Sequence, residues 1–309
     1  MASVPFALYD AFSETVFGGS QAGVVSDAAN LDSQTRQQIA KEIAVPATAF
    51  ITACSEQSIS VRFHSPLTEY AMCGHGTICL MTRMVELDIL RWDEYGKIEV
   101  DLHLQSSVSP VQLYRREDGR PVVLLDINLP KLSQQKLDKQ ILADLLGLSL
   151  RDFNPDNPLE TASGDFVHLI VPLRDLEAMA KITPDFAGLT QFCNQQGLQT
   201  IAVFCTEVTR EESDIHMRDF CPAVGVAESA GAGTTNAALA TYLVHHNILK
   251  SAGNNGQIII QAEQGIELKR PGFVRSVISM NGSSISRLQV GGVATKIIDG
   301  KLLLPDISE

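Results

Sequence analysis

The segment Cys73-Gly74-His75-Gly76-Thr77 puts a thiol and an imidazole two positions apart on a glycine-rich turn. An apolar stretch with Ile78, Leu80, Met81, Met84 and Val85 follows, so the turn opens a helix. The first N–H groups of a helix have no partner within it and lie at the positive end of its dipole. Such a turn can hold an anion, and glycine lets the ligand approach the backbone. A thiol placed there is predicted to have a lowered pKa and a usable thiolate fraction near neutral pH. Cys73 is therefore the candidate base. His75 is placed to orient or hydrogen-bond a substrate, and Gly74, Gly76 and Thr77 to bind it.

A second turn, Ala230-Gly231-Ala232-Gly233-Thr234, precedes another apolar helix, Ala237 to Val244. Arg62-x-x-x-Pro66 comes before the first turn and Arg218-x-x-x-Pro222 before the second, which points to duplication. Two such turns would aim two helix N-termini into a cleft between two lobes. A small carboxylate held there, and an enolate formed beside it, would be stabilised by fixed donors. Ser229, Gly231, Gly233 and Thr234 are the candidate binding residues of this turn. Ser20, after Gly18-Gly19, and Asp165 join them, and His168 is a weaker candidate. No Lys follows the second Gly of either turn, and both lack a third Gly, so neither reads as a nucleotide-binding loop. Cys73, His75, Cys79 and His64 do not have the spacing of zinc ligands, and no metal is expected.

The elements that must carry these turns are legible in outline. Phe6, Leu8 and Asp10 alternate with Ala7, Tyr9 and Ala11 as in a strand. Asp32 or Ser33 caps a helix that runs to Ile43 and stops at Pro46. Strands follow at Ala49–Thr52 and Ser58–His64, and again in the second half at Val122–Leu129, His168–Val171, Ile201–Phe204 and Ile215–Arg218. In the tail, Gln257–Gln261 reads as a strand, with Asn281-Gly282 and Asp299-Gly300 as hairpin turns. The pattern predicts an α+β fold of two pseudo-symmetric lobes, each a sheet wrapped round a central helix.

Composition excludes several classes. The 309 residues are 45% hydrophobic and 19% charged, an ordinary globular mix. The formal charge of −12 disfavours nucleic acid and anionic lipid as partners. The start, MASVPFALYD, has no basic segment before an apolar run, and no apolar run is long enough to span a membrane. A cytoplasmic location is expected, with Cys54, Cys79, Cys193 and Cys205 as small packed hydrophobes.

The sequence resembles the phenazine-biosynthesis PhzF-like family of the diaminopimelate epimerase and proline racemase superfamily. The resemblance runs through Phe17-Gly18-Gly19, Ala22-Gly23-Val24-Val25, Ala49-Phe50, Pro66, Glu69 and Cys73-Gly74-His75-Gly76-Thr77. It continues through Pro222, Gly225, Glu228, Gly233, Gln264-Gly265 and Arg270-Pro271. It implies lobes of β-barrel-like sheet, cofactor-free proton chemistry beside a carboxylate, and a homodimer. It also implies that a C-terminal strand, about residues 295–309, returns to a first lobe of residues 1–119, the second lobe being 120–294. The second thiol of a two-base racemase would fall at Ala230. The Glu and Asp of PhzF-type isomerases would fall at Ala47 and Ser229.

With one thiol and no matched partner, three functions stay open. The first is an epimerase, racemase or proton-shift isomerase of a small amino acid or other carboxylate, with the Cys73 thiolate as base. The second is a single-thiol hydro-lyase of the hydroxyproline dehydratase kind. The third is a non-catalytic binding protein that keeps the fold.

Overall fold

The N-terminal alternation forms β1 (Ser3–Ala11), but both of its faces are buried. Phe6 and Leu8 pack on Ala40 and Phe50. On the other face Tyr9 sends its hydroxyl 2.7 Å to Glu86 at the end of the first apolar helix. The computed structural model describes residues 2–135, 137–249 and 256–304. The chain divides into two units, Met1–Asp126 with Gly291–Glu309, and Ile127–Val290.

In the first unit β1 is followed by β2 (Ser20–Val25), α1 (Ser33–Ile43), β3 (Ala47–Cys54), β4 (Ser58–His64), β5 (Glu69–Tyr70) and α2 (Gly74–Glu86). Asp32 caps α1 by accepting from the Thr35 N–H at 2.7 Å. Then come β6 (Lys97–His103), β7 (Val108–Arg115) and β8 (Pro121–Asp126). Pairing is antiparallel for β1–β2, β3–β4, β6–β7 and β7–β8, and parallel for β2–β3 and β4–β6. A helix apolar on all sides must be surrounded. Accordingly α2 is buried from Gly76 to Met84. Ile78, Cys79, Leu80, Met81 and Met84 are all fully covered, each contributing about 1.5–3 kcal/mol. This anchors the turn that precedes the helix.

The second unit contains β9 (Lys131–Ser133), α3 (Lys139–Leu146), β10 (Glu160–Ser163), β11 (Val167–Pro172), α4 (Leu176–Lys181), α5 (Phe186–Gln196) and β12 (Thr200–Cys205). It continues with β13 (Ile215–Cys221), β14 (Val226–Ser229), α6 (Gly233–His245), β15 (Gln257–Gln264), β16 (Gly272–Asn281) and β17 (Ser284–Gly292). Here too an apolar helix, α6, is buried, from Thr235 to Leu243. Finally β18 (Ala294–Leu303) pairs antiparallel with β1, in the first unit. The fold mixes sheet and helix in both units, and among the described residues no helix is long and apolar enough to cross a membrane.

Several expectations are corrected. The first unit runs to Asp126, and the strand expected at Val122–Leu129 is β8, in a hairpin with β7. Residues 305–309 of the expected C-terminal strand lie outside the described residues. Asp299-Gly300 is not a turn but the middle of β18, opposite Ala7 and Phe6. The reason is pairing: β18 runs antiparallel to β1 from Ala294 to Leu303, and Arg83 of α2 holds Asp299 with both terminal nitrogens, at 2.8 and 3.1 Å. Cys54, at the end of β3, is exposed rather than packed.

The second unit also holds a buried histidine between two acids. His216 Nδ1 lies 2.7 Å from Glu263 and Nε2 lies 2.9 Å from Glu267. Glu263 accepts from the Thr209 and Arg210 N–H groups as well. Both ring nitrogens can donate only in the imidazolium. Burial pulls the ring down, but hydrogen bonds to Glu267 and Glu263 outweigh it and hold it above the ordinary value. A raised histidine stabilises fully below its unfolded pKa and loses that contribution as pH rises through its folded one. His216→Gln should therefore cost roughly 1–3 kcal/mol at pH 6 and distinctly less at pH 9, read from urea melts at both values. Equal costs at the two pH values would show that the ring is neutral.

Candidate active site

The first turn is set by Cys73, the N-cap of α2, with extended backbone and no side-chain cap. Its sulfur lies 3.5 Å from His75 Nδ1. Gly76 leaves room beside this sulfur. A Cβ there would meet the Phe63 ring at 3.0 Å and the Cys73 sulfur at 3.2 Å. Gly74 is under no such pressure, with only Leu125 at 3.9 Å.

Thr77 was expected to bind substrate, but it is fully buried and both of its donors serve the Cys73 carbonyl, the hydroxyl at 2.8 Å and the N–H at 2.9 Å. It shapes the turn from below. The expected thiolate is also corrected. Burial pushes the Cys73 thiol up to about 12, against the pull of the Gly76 N–H. The helix end favours a thiolate, but removing the sulfur from water costs more than one N–H returns. Burial likewise lowers His75 to about 4. At neutral pH the site holds a neutral thiol beside a neutral imidazole, a pair able to exchange one proton.

The second turn is offset from the match read in the sequence. By sequence, Ala230 aligns with Cys73. In the structure the N-cap of α6 is Ala232, and the helix begins at the second glycine, Gly233, not the first. Two pairs of bonds confirm the register. Thr77 and Asn236 each donate to their cap carbonyl, Cys73 and Ala232, at 2.8 Å. Further along, Thr82 and Thr241 each donate four residues back, to Ile78 and Ala237, at 2.9 Å. The backbone counterpart of Cys73 is thus Ala232, and neither alanine carries an acid or base.

Gln264 holds this turn. Fully buried, it donates to the Ser229 carbonyl at 2.8 Å and accepts from the Ala232 N–H at 3.3 Å and Asn236 at 3.0 Å. Ser229 accepts the Gly231 N–H on its hydroxyl at 3.4 Å. Ser229, Gly231, Gly233 and Thr234 are therefore brought together at the start of α6. Beneath them Asp219 accepts from the Thr235 hydroxyl at 2.9 Å. Ser20 belongs to the first unit, at the start of β2 opposite Ala11. Asp165 is exposed at the β10–β11 hairpin, joined to the turn by no hydrogen bond among the described residues. His168 is buried and bonded to Thr200 at 2.7 Å. Sequence reasoning gave no role to Gln264, Asn236, Thr235 or Asp219. Among the described residues no group of three or more His, Cys, Asp or Glu side chains is arranged to hold a metal ion.

Comparison with known proteins adds the following. Residues 9–300 match the model of a family described as phenazine biosynthesis-like, PhzC-PhzF. The uncharacterized isomerase YfhB of Bacillus subtilis is 29% identical over 274 residues, 88% of this chain and 89% of that protein. The trans-2,3-dihydro-3-hydroxyanthranilate isomerase of Pseudomonas chlororaphis is 24% identical over 302 residues, 97% of this chain and 99% of that one. A PhzF-family phenazine biosynthesis protein of Bacillus anthracis superposes with a TM-score of 0.87 at 22% identity, covering 98% of this chain and all of that one.

Proposed function

The chain belongs to the phenazine biosynthesis-like PhzC-PhzF family, and on that premise we propose that it is a cofactor-independent isomerase moving a proton on a small carboxylate. Relatives named as isomerases, spanning nearly the whole chain, support the reaction class. The observation that carries the chemistry is the approach of the Cys73 sulfur to His75 Nδ1, 3.5 Å, at the start of α2.

His75 accepts the thiol proton as the sulfur takes a proton from the carbon beside the carboxylate. The first-turn N–H groups of α2 face the charge that develops. For a double-bond shift the Cys73 thiol gives that proton to a neighbouring carbon on the same face and His75 returns its own to the sulfur; for an epimerisation water gives a proton to the other face and takes the one held by His75. A second reading, loss of water by a hydro-lyase, is favoured by one observation: Ala230 and Ala232 leave the second turn without an acid of its own.

Proton NMR in deuterium oxide, with amino acids, hydroxyprolines and unsaturated dicarboxylates, tests both. Carbon-bound deuterium with inverted configuration or a moved double bond is the expected result. An enamine or keto product would establish the hydro-lyase instead. No exchange on any compound, with Cys73 alkylation unaffected by pyrrole-2-carboxylate, would reject proton chemistry in favour of a non-catalytic protein.

A further inference from the structure

The second unit does contain an ionisable group at its turn, though not within the turn. Asp219 is on β13, opposite Ala202 of β12 and Ser229 of β14. Its carboxyl is 1% exposed. Oδ2 accepts from Thr235, in the first turn of α6, and Oδ1 has no hydrogen-bond partner among the described residues. The groups around it supply little charge. Glu228 of β14 is neutralised by Arg218, through two contacts of 2.9 Å. Thr200 of β12 lies against Asp219 and bonds to His168 of β11, whose ring burial keeps neutral. On its own strand Cys221 is an un-ionised thiol. No cation forms an ion pair with Asp219 among the described residues.

A buried carboxylate without a counter-ion is costly, so the group holds its proton into the neutral range. Burial raises Asp219 to about 7, against hydrogen bonding from Thr235 and Thr200. Its charge state bears on the turn directly. When ionised, it places a negative charge behind the positive end of the α6 dipole and opposes an anion in front. When protonated, it leaves that end able to hold one.

We propose that Asp219 is a positioning residue that acts through Thr235 to set the affinity of the α6 turn for a carboxylate, high when it is protonated and low when it is ionised. The proposal rests on the reading of that turn as a carboxylate site. The second unit, whose turn from Ser229 to Gly233 carries no acid of its own, thereby keeps a protonatable group one layer below.

The test is binding of pyrrole-2-carboxylate from pH 5.5 to 9, a range in which the probe stays ionised. Wild type should weaken by about tenfold between pH 6 and pH 8.5. Asp219→Asn, which keeps an oxygen for Thr235, should bind at pH 8.5 as tightly as wild type does at pH 6. Thr235→Val, which cuts the link but spares the acid, should show a shallower slope with its midpoint moved to higher pH, because the hydroxyl that favours the ionised form is gone. It serves as the decisive variant if Asp219→Asn does not fold. A flat wild-type profile, or an equal slope in the variants, would overturn the role of Asp219 while leaving the carboxylate site intact. Failure of wild type to bind the probe at any pH would overturn the carboxylate reading, and the proposal with it.

Discussion

Cys73→Ala lowers the rate of solvent-deuterium incorporation into substrate by roughly 10²–10⁴-fold, the usual contribution of a positioned proton-transfer group. The fold should survive, because the sulfur is small and its polar contacts are His75 and the Gly76 N–H rather than a network that depends on it. Cys73→Ser is the sharper variant. It keeps a hydroxyl near His75 but gives up the more acidic and more polarisable thiol, and its loss should approach that of the alanine. The pH profile gives a second signature. With the thiol at about 12 and His75 at about 4, neither group titrates in free enzyme between pH 5.5 and 9. The activity of wild type should therefore show no limb from these two groups in that range. A wild-type rate in Cys73→Ala would sink the thiol's role and move the chemistry to His75, which His75→Asn would then expose.

The parts of this site that could be read from sequence depend on near neighbours. A helix apolar on every side must be buried, and a glycine turn ahead of it must present N–H groups. Both statements need only residues 73 to 86, and both hold in α2. The parts missed depend on pairing between distant strands. Asp219 meets Thr235 because β13 pairs with β14, which leads into α6. Gln264 reaches Ser229 only because β15 lies parallel to β13. Its motif was visible as Gln264-Gly265, but nothing in the string says which turn the amide faces. The thiol's pKa failed for a related reason. The helix end is local, whereas the burial that outweighs it comes from the whole first unit. The two-position slip at the second turn has the same distant cause. Gly-x-Gly-Thr occurs in both halves, but Gln264 holds Ala232 as the cap and delays α6 to the second glycine.

That makes Gln264 the residue on which the second turn depends, and Gln264→Leu should cost about 3–5 kcal/mol by urea denaturation. Leucine fits the volume, so the loss is one of hydrogen bonds and not of packing. The Ala232 N–H, the Asn236 amide and the Ser229 carbonyl all lose their shared, fully buried partner, Asn236 in a buried position and the other two in half-buried ones. Asn236 keeps its bond to the Ala232 carbonyl, so the helix itself should persist and circular dichroism change little. The segment from Ser229 to Ala232 is what loosens, and with it any anion held there. Binding of pyrrole-2-carboxylate should fall with stability in Gln264→Leu. Gln264→Glu separates the two contributions. Its carboxylate still accepts from Ala232 and Asn236, but it cannot donate to Ser229 unless protonated, and its charge stands at the helix end. It should recover part of the stability while repelling the probe. Full stability in Gln264→Leu would mean that strand pairing alone holds the turn, and the delayed start of α6 would then need another cause.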